Sequence, residues 1–227
     1  MNSSKDFVDK RSGMTFRSNT DNDHYNILST QGLYEHSLIM WCEQFLKQDG
    51  VFIDVGAHMG AYSIILSKKC KTVHSFEPQT LTYNNLNYGV KVNNCDNIIT
   101  HHCALSSDNR KGKIYQISYD CNESTINPLI AERCSTISED DIEIKTLDSF
   151  NIENVCLLKI NVEGHELEVI KGAQNTLKNS NYPPIVFECW PSHRYESKRN
   201  DVMNYLTSIG YKIIPISRTN NMFIASY

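Results

Sequence analysis

The stretch VFIDVGAHMGAYSIILSKKCKTVHSFEP, residues 51–78, decides the fold. Its first five residues, Val51 to Val55, form a mostly apolar run typical of a short buried strand, and Gly56 to Gly60 indicate a tight turn. Ala61 to Lys69 then have the pattern of a helix, and Thr72 to Phe76 that of a second strand. This order predicts the first half of a βαβ unit, in which a helix N-terminus and the tip of the second strand face a ligand together.

The second strand is followed by an acidic residue. Glu77 lies 23 residues after Asp54, close to the spacing at which an acid binds a ribose diol in nucleotide-binding folds. Pro78 turns the chain sharply at this point, while the carboxylate can accept hydrogen bonds from two hydroxyl groups. The strand end therefore predicts a ligand that contains a nucleoside.

The composition of the turn separates two classes of such ligands. A dinucleotide turn needs a middle glycine so that the backbone can approach the pyrophosphate, but the sequence here is Gly56-Ala57-His58-Met59-Gly60, with His58 in that place. S-adenosylmethionine has no phosphate, and its carboxylate and amine can lie beside the turn. We therefore predict this methyl donor, with a purely structural turn or a different nucleotide as the alternatives.

Length and charge set the general frame. A chain of 227 residues with 40% hydrophobic content can bury one sizeable core, so we predict a single α/β domain over residues 33–227 behind a polar N-terminal arm over residues 1–32. The net charge of −4 gives no support to a nucleic-acid partner. No run approaches the roughly 20 apolar residues of a spanning helix, so we expect no membrane partner and a cytoplasmic location.

The eight cysteines are scattered, without CxxC pairs or His/Cys clusters. Cys42 and Cys156 lie in apolar patterns and are predicted to be reduced, buried thiols.

Strands and helices alternate along most of the chain, as in a doubly wound fold. Strands are predicted over VFIDV, TVHSF, NIITHHCAL, KGKIYQIS, IEIKTLDSF, VCLLKI, PIVFECW, YKIIPI and NMFIASY, and helices over LYEHSLIMWCEQFLK, AYSIILSKK, TLTYNNLNYGVKVN, HELEVIKGAQNTLKN and SKRNDVMNYLTSI. The alternation lapses from Ser106 to Thr146, where a long irregular loop is predicted to contact the acceptor together with the N-terminal arm.

Several motifs in order, DVGAHMGAYS, FEP, HCALS, TLD, LLKINVEGHELEVIKGA and PIVFE, resemble those of the FkbM-like methyltransferases. The resemblance covers about Tyr34 to Glu188 and implies a class I methyltransferase fold: a Rossmann-like, mainly parallel seven-stranded sheet that ends in a C-terminal antiparallel hairpin. It also implies S-adenosylmethionine as donor and O-methylation of a sugar, glycan or small-metabolite hydroxyl. The cofactor-binding candidates are Asp54, Gly56, Ala57, His58, Gly60, Tyr62, Glu77, Pro78, Cys103, Ala104 and Asn161.

A hydroxyl acceptor benefits from a base, and the base should lie where the strands end. The candidates for the chemistry are Lys159, Glu163, Glu166, Glu188 and His193. Glu163 and Glu166 are preferred as bases because they belong to the family motif, while Lys159 suits a hydrogen bond to the acceptor or an ion pair with Glu163. For Glu163 and Glu166 helix capping is an equal alternative, and His193 can equally be a surface residue.

Two departures from the family pattern matter. His58 replaces a common asparagine, and Asn161 replaces the aspartate of the usual KIDVEG motif. An amide is a poor ligand for a hard cation, so we expect no obligatory metal. The alternatives to a sugar O-methyltransferase are an RNA or nucleotide methyltransferase, for which no basic and aromatic stretch speaks, and an inactive donor-binding module, which Asn161 leaves open.

Overall fold

A computed structural model describes residues 4–20, 23–116, 124–126, 138–189, 196–217, 219 and 221–227. Its strands are β1 Ser4–Val8, β2 Thr15–Asn19, β3 Val51–Val55, β4 Thr72–Phe76, β5 Ile98–His101, β6 Ala104–Leu105, β7 Arg110–Gln116, β8 Ser124–Thr125, β9 Ser138–Lys145, β10 Val155–Ile160, β11 Ile185–Glu188, β12 Lys212–Pro215 and β13 Met222–Ser226. Its α-helices are α1 Asp23–Gln31, α2 His36–Cys42, α3 Ala61–Leu66, α4 Thr80–Val92, α5 Glu166–Lys171, α6 Gln174–Asn179 and α7 Glu196–Ser208. Short 3₁₀ turns follow at Glu43–Phe45, Ser67–Lys69 and Leu147–Phe150.

Within the described residues the central sheet has seven strands in the order β12-β13-β11-β10-β3-β4-β5. The strands from β11 to β5 run parallel, and β13 pairs antiparallel with both β11 and β12. This confirms the predicted class I fold with its closing hairpin. The chain moves outward from β3 to β5 and then returns to β10 on the other side of β3, so the order reverses between β3 and β10. Ligands of such sheets bind at the carboxyl ends of the strands beside this reversal.

The core follows from the two-residue period of the buried strands. On β3, Phe52 packs on one face of the sheet and Ile53 on the other, and on β10 Leu157 and Leu158 divide in the same way. Because both faces are covered, the parallel strands read as continuous apolar runs. Cys42 and Cys156 are free and buried, as predicted.

The N-terminal segment packs on the face of the sheet that Phe52 lines. Strands β1 and β2 form an antiparallel hairpin whose Phe7 and Phe16 are buried there, and Leu28 of α1 joins the same cluster. Asn93, after α4, exchanges hydrogen bonds with the backbone of Thr15 at 2.9 and 2.7 Å. The described part of residues 1–32 is thus joined to the main core.

Two predicted strands are wrong in part. The segment NIITHHCAL contains β5 of the central sheet and then β6, which leaves that sheet and pairs with β9 in a second sheet of order β6-β9-β7-β8. The segment IEIKTLDSF is a strand only as far as Lys145. Beyond it a 3₁₀ turn begins, because the Thr146 side chain accepts a hydrogen bond from the Ser149 amide and caps the turn.

The predicted helix HELEVIKGAQNTLKN is divided into α5 and α6 at Gly172. A β-carbon at Gly172 would lie 2.0 Å from the Ser106 carbonyl oxygen, so only glycine permits this close approach. Asp148 then accepts hydrogen bonds from the amides of Asn175 and Thr176 at 3.0 and 2.8 Å and satisfies the start of α6. A contact distant in sequence therefore breaks a helix that local pattern joins.

None of the helices in the described part of the chain is long and apolar enough to cross a membrane.

Candidate active site

A cleft of about 620 Å³ lies at the carboxyl ends of β3, β4, β10 and β11, a volume ordinary for a small-molecule site. The structure brings most of the sequence-predicted residues together in its wall: Gly56, Ala57, His58, Tyr62, Glu77, Pro78, Cys103, Ala104, Lys159, Asn161, Glu163 and Glu188. The other described candidates, Asp54, Gly60 and Glu166, do not line the cleft, and Asp54 and Glu166 are buried behind its wall.

The turn after β3 has the backbone shape that its glycines allow. Gly56 has φ of +71°, and a β-carbon there would lie 1.9 Å from the carbonyl oxygen of Asn161 on the neighbouring strand end. Glycine is therefore required at this position both by conformation and by close approach. His58 also has positive φ, +52°, a conformation that is uncommon for residues other than glycine. The turn thus adopts the conformation of a glycine-rich loop although its middle residue is a histidine.

Glu77 is held at the tip of β4 by backbone donors. Its Oε2 accepts a hydrogen bond from the His58 amide at 2.9 Å, and its Oε1 accepts one from the Gln79 amide at 2.9 Å. Only 7% of the residue is exposed, and burial raises the pKa of its carboxyl to about 7, against the opposing effect of these two amides. The carboxylate is therefore fixed in orientation, and each of its two oxygens can accept a further hydrogen bond from a diol hydroxyl.

This pKa predicts a pH dependence of nucleoside binding. Below pH 7 the unliganded Glu77 carries a proton that a diol-binding carboxylate must lose, so affinity for S-adenosylhomocysteine should fall by up to about tenfold for each pH unit between 7 and 5.5. Above pH 7 it should rise by no more than about twofold and level off by about pH 8. Calorimetric titration across this range measures the slope. Glu77→Gln should abolish the slope, and a slope that persists in this variant would assign the proton to another group.

Beneath the turn lies a buried ion pair. The Lys159 ammonium is 3.0 Å from Oδ1 of Asp54 and donates to the Gly56 carbonyl oxygen at 2.8 Å. Oδ2 of Asp54 accepts from the Ser63 hydroxyl at 2.6 Å, so this carboxylate joins β3, α3 and β10. The ion pair of Lys159 is thus with Asp54, where the sequence suggested Glu163 or the acceptor. Its position fits an anchor for the turn.

The two carboxylates of the VEGHE motif lie in different places. Glu166 is buried, and its Oε1 accepts hydrogen bonds from the amides of Val162 and Gly164 at 3.3 and 3.1 Å. It therefore holds the turn after β10 in shape. Glu163 lines the cleft with φ of +52°, and its carbonyl oxygen accepts from the Thr125 hydroxyl at 3.3 Å.

Glu188 ends β11 in the wall of the cleft. Burial, and next the charge of Glu35, raise the pKa of its carboxyl to about 7, while a hydrogen bond from the Asn161 side chain lowers it. Asn221 donates a second hydrogen bond to it. The Oδ1 atom of Asn161 is buried and accepts no hydrogen bond from the described residues, so it is a polar atom in need of a donor.

Glu35, which the sequence motifs do not predict, also lines the cleft just before α2. No motif marks it, and its charge at the start of an amphipathic helix reads as an ordinary solvated residue. Apolar wall residues were missed too: Leu28, Leu33, Ile39, Ile114 and Ile126. They come from α1, the segment between α1 and α2, α2, β7 and the residue after β8, which only the fold brings to the cleft. His193 and, within the predicted acceptor loop, residues 117–123 and 127–137 lie outside the described residues.

Among the described side chains no group of three or more histidine, cysteine, aspartate or glutamate residues is placed to hold a metal ion.

Comparison with known proteins identifies the family. The model of the methyltransferase FkbM domain matches residues 54–213, which include the turn, Glu77, the VEGHE motif and Glu188. The chain belongs to the methyltransferase FkbM domain family. This confirms the resemblance seen in the motifs, and it places every described lining residue from Val55 to Glu188 within the matched FkbM region.

Individual relatives are distant. The hexuronic acid methyltransferase AglP of Haloferax volcanii is 27% identical over 161 residues, 65% of this chain and 60% of that protein. A crystal structure of methyltransferase FkbM from Methylobacillus flagellatus superimposes with a TM-score of 0.58 at 18% identity, over 80% of this chain and 44% of that one. A Streptococcus mutans protein crystallised in complex with SAH, S-adenosylhomocysteine, gives a TM-score of 0.52 at 10% identity, over 83% and 93% of the two chains. The chain thus spans three fifths or less of the first two proteins, and at these identities the solved structures support the fold alone.

Proposed function

We propose that the protein is an S-adenosylmethionine-dependent O-methyltransferase that acts on a hydroxyl of a sugar, glycan or related small metabolite. The observation that carries the proposal is Glu77, a buried carboxylate oriented by the His58 and Gln79 amides beside a turn unsuited to pyrophosphate. Membership of the FkbM family supports methyl transfer.

The residues of the cleft fit the donor. Glu77 would accept hydrogen bonds from both hydroxyls of the ribose, and the apolar chain at Cys103 and Ala104 would contact the adenine. The buried Oδ1 of Asn161 would accept a hydrogen bond from the donor's amine. The complex of the Streptococcus mutans protein with SAH is consistent with this use of the fold.

A sugar acceptor is supported by the name of the Haloferax volcanii relative, a hexuronic acid methyltransferase. When bound, S-adenosylmethionine would supply a sulfonium methyl group for in-line transfer to the acceptor oxygen, with S-adenosylhomocysteine as the leaving group. The protein's part is to hold the two molecules in this alignment and to take the hydroxyl proton. Water is excluded by the apolar wall that Leu28, Ile39 and Ile126 contribute.

Glu188 is the base we favour for that proton. It lines the cleft, and its pKa near 7 suits a group that must be ionised before reaction and accept a proton during it. Glu166 is less suited because its carboxylate holds the Val162 and Gly164 amides. Glu163 and His193 remain candidates from the sequence.

Titration with S-adenosylhomocysteine tests the donor site. Glu77→Ala should weaken binding by about 1.5–3 kcal/mol, or roughly 10- to 150-fold, because a charged acceptor of two hydrogen bonds is lost. Glu168→Ala is the matched control, since Glu168 contacts Ser107 and Lys171 outside the cleft. Unchanged affinity in Glu77→Ala would remove Glu77 from the donor site. Binding without methyl transfer to any sugar or nucleotide sugar would favour the inactive donor-binding module.

A further inference from the structure

The end of the cleft opposite Glu77 is walled by two carboxylates. In the strand order, β4 with Glu77 lies on one side of β3, while β10 and then β11 lie on the other. Of the four strands whose ends form the cleft, Glu188 therefore ends the one farthest from Glu77, and Glu35 lines the same cleft from the segment before α2. With the donor's ribose at Glu77, this end is the space left for the acceptor.

No free cation balances these carboxylates among the described lining residues. Lys159 is the sole lysine or arginine among them, and its ammonium is neutralised by Asp54 at 3.0 Å and turned toward the Gly56 carbonyl oxygen. Lys159 is only 4% exposed, so it lies at the bottom of the cleft beneath the turn. The ammonium is therefore held by Asp54 and Gly56, and although its charge lowers the pKa of Glu188, that effect is smaller than those of burial and of Glu35.

The negative charge of Glu35 acts on the carboxyl group of Glu188. The charge of Glu35 is the second cause, after burial, of the raised pKa of Glu188, and it also raises the pKa of the buried Tyr62 hydroxyl. Both carboxylates line the same cleft, so a third negative charge bound beside them would be repelled by both.

We propose that Glu35 and Glu188 form an anionic wall by which this enzyme selects an acceptor sugar that is uncharged or cationic and disfavours one that bears a carboxylate. The inference rests on the proposed function and narrows its substrate class. A neutral sugar can donate hydroxyl hydrogen bonds to both carboxylates, whereas a uronate brings a like charge next to them, which is how a site rejects a wrong partner. This chain should therefore differ in acceptor from its relative named for hexuronic acid.

Ligand-observed NMR titrations of the protein saturated with S-adenosylhomocysteine test the wall at pH 8, where Glu188 is ionised. The probes are methyl β-glucopyranoside, the corresponding methyl glucosaminide and methyl glucuronide. In the native protein the first two should bind at least about tenfold more tightly than the glucuronide. Glu35→Gln, which keeps the size of the side chain, should reduce this ratio to about threefold or less. The control variant Glu168→Gln should leave it unchanged.

Different outcomes test the anionic wall and the sugar methyltransferase assignment separately. A glucuronide that binds as tightly as the glucoside, or a ratio that Glu35→Gln leaves unaltered, overturns the anionic wall while leaving the sugar methyltransferase in place. If S-adenosylhomocysteine binds but none of the three sugars does, the sugar assignment falls and the wall with it. Unchanged affinity of Glu35→Gln for S-adenosylhomocysteine shows that the variant is folded. If the variant does not fold, the ratio of glucoside to glucuronide affinity in the native protein still decides whether the wall exists.

Discussion

Glutamine at position 188 is expected to lower turnover by about 10²-fold or more while the affinity for S-adenosylhomocysteine stays within about twofold. The amide is nearly isosteric with the carboxylate but cannot take a proton, and loss of a general base has effects of this size. Glu188 lines the cleft at the end of β11, and its raised pKa of about 7 also predicts that turnover of the native protein declines below pH 7. Methyl transfer to an accepted sugar, measured with saturating donor, checks both expectations.

Three comparison variants identify the base if it is another residue. Glu166→Gln should chiefly disturb the turn that its Oε1 holds at the Val162 and Gly164 amides. Near-normal turnover in Glu188→Gln, together with a large loss in Glu163→Gln or His193→Ala, would show that the proton goes to one of those residues. The pH profile adds an independent reading, since its acid limb should disappear with the true base.

Methionine in place of Lys159 is expected to lower the free energy of unfolding by about 3–5 kcal/mol, because it leaves the fully buried Asp54 carboxylate without its cation. The turn should loosen as well, since the ammonium also binds the Gly56 carbonyl oxygen at 2.8 Å. Urea unfolding measures the first effect, and calorimetric titration with S-adenosylhomocysteine measures the second.

The double variant Asp54→Asn/Lys159→Met distinguishes the cost of an unpaired buried charge from the loss of the Lys159 contact to the turn. Removing both charges should restore much of the stability lost in Lys159→Met, because the main penalty is an uncompensated buried charge. Donor affinity should remain weak, as the contact to Gly56 is still missing. A Lys159→Met protein as stable as the native one would show that Asp54 finds another partner, and the anchoring role would be wrong.

The sequence by itself determined the fold family and the turn and acidic residue at the β3–β4 end of the cleft. Val51 to Phe76 specify strand, turn, helix and strand through patterns only a few residues long, and Gly56 and Glu77 belong to that same unit. Such local patterns are legible because burial on both faces of a parallel sheet demands continuous apolar runs, and because Gly56 combines positive φ with a backbone approach that leaves no room for a β-carbon.

Only the tertiary structure decided which charges meet. Lys159 and Asp54 are more than 100 residues apart, and their pairing follows from the adjacency of β10 and β3. Glu35 reaches the cleft because α2 packs beside α3, and no periodicity of its own segment records that contact. The pKa values of Glu77 and Glu188 likewise depend on burial and on neighbours from other elements. Short-range patterns specify elements, whereas the electrostatics of the site arise from residues that the fold brings together across the chain.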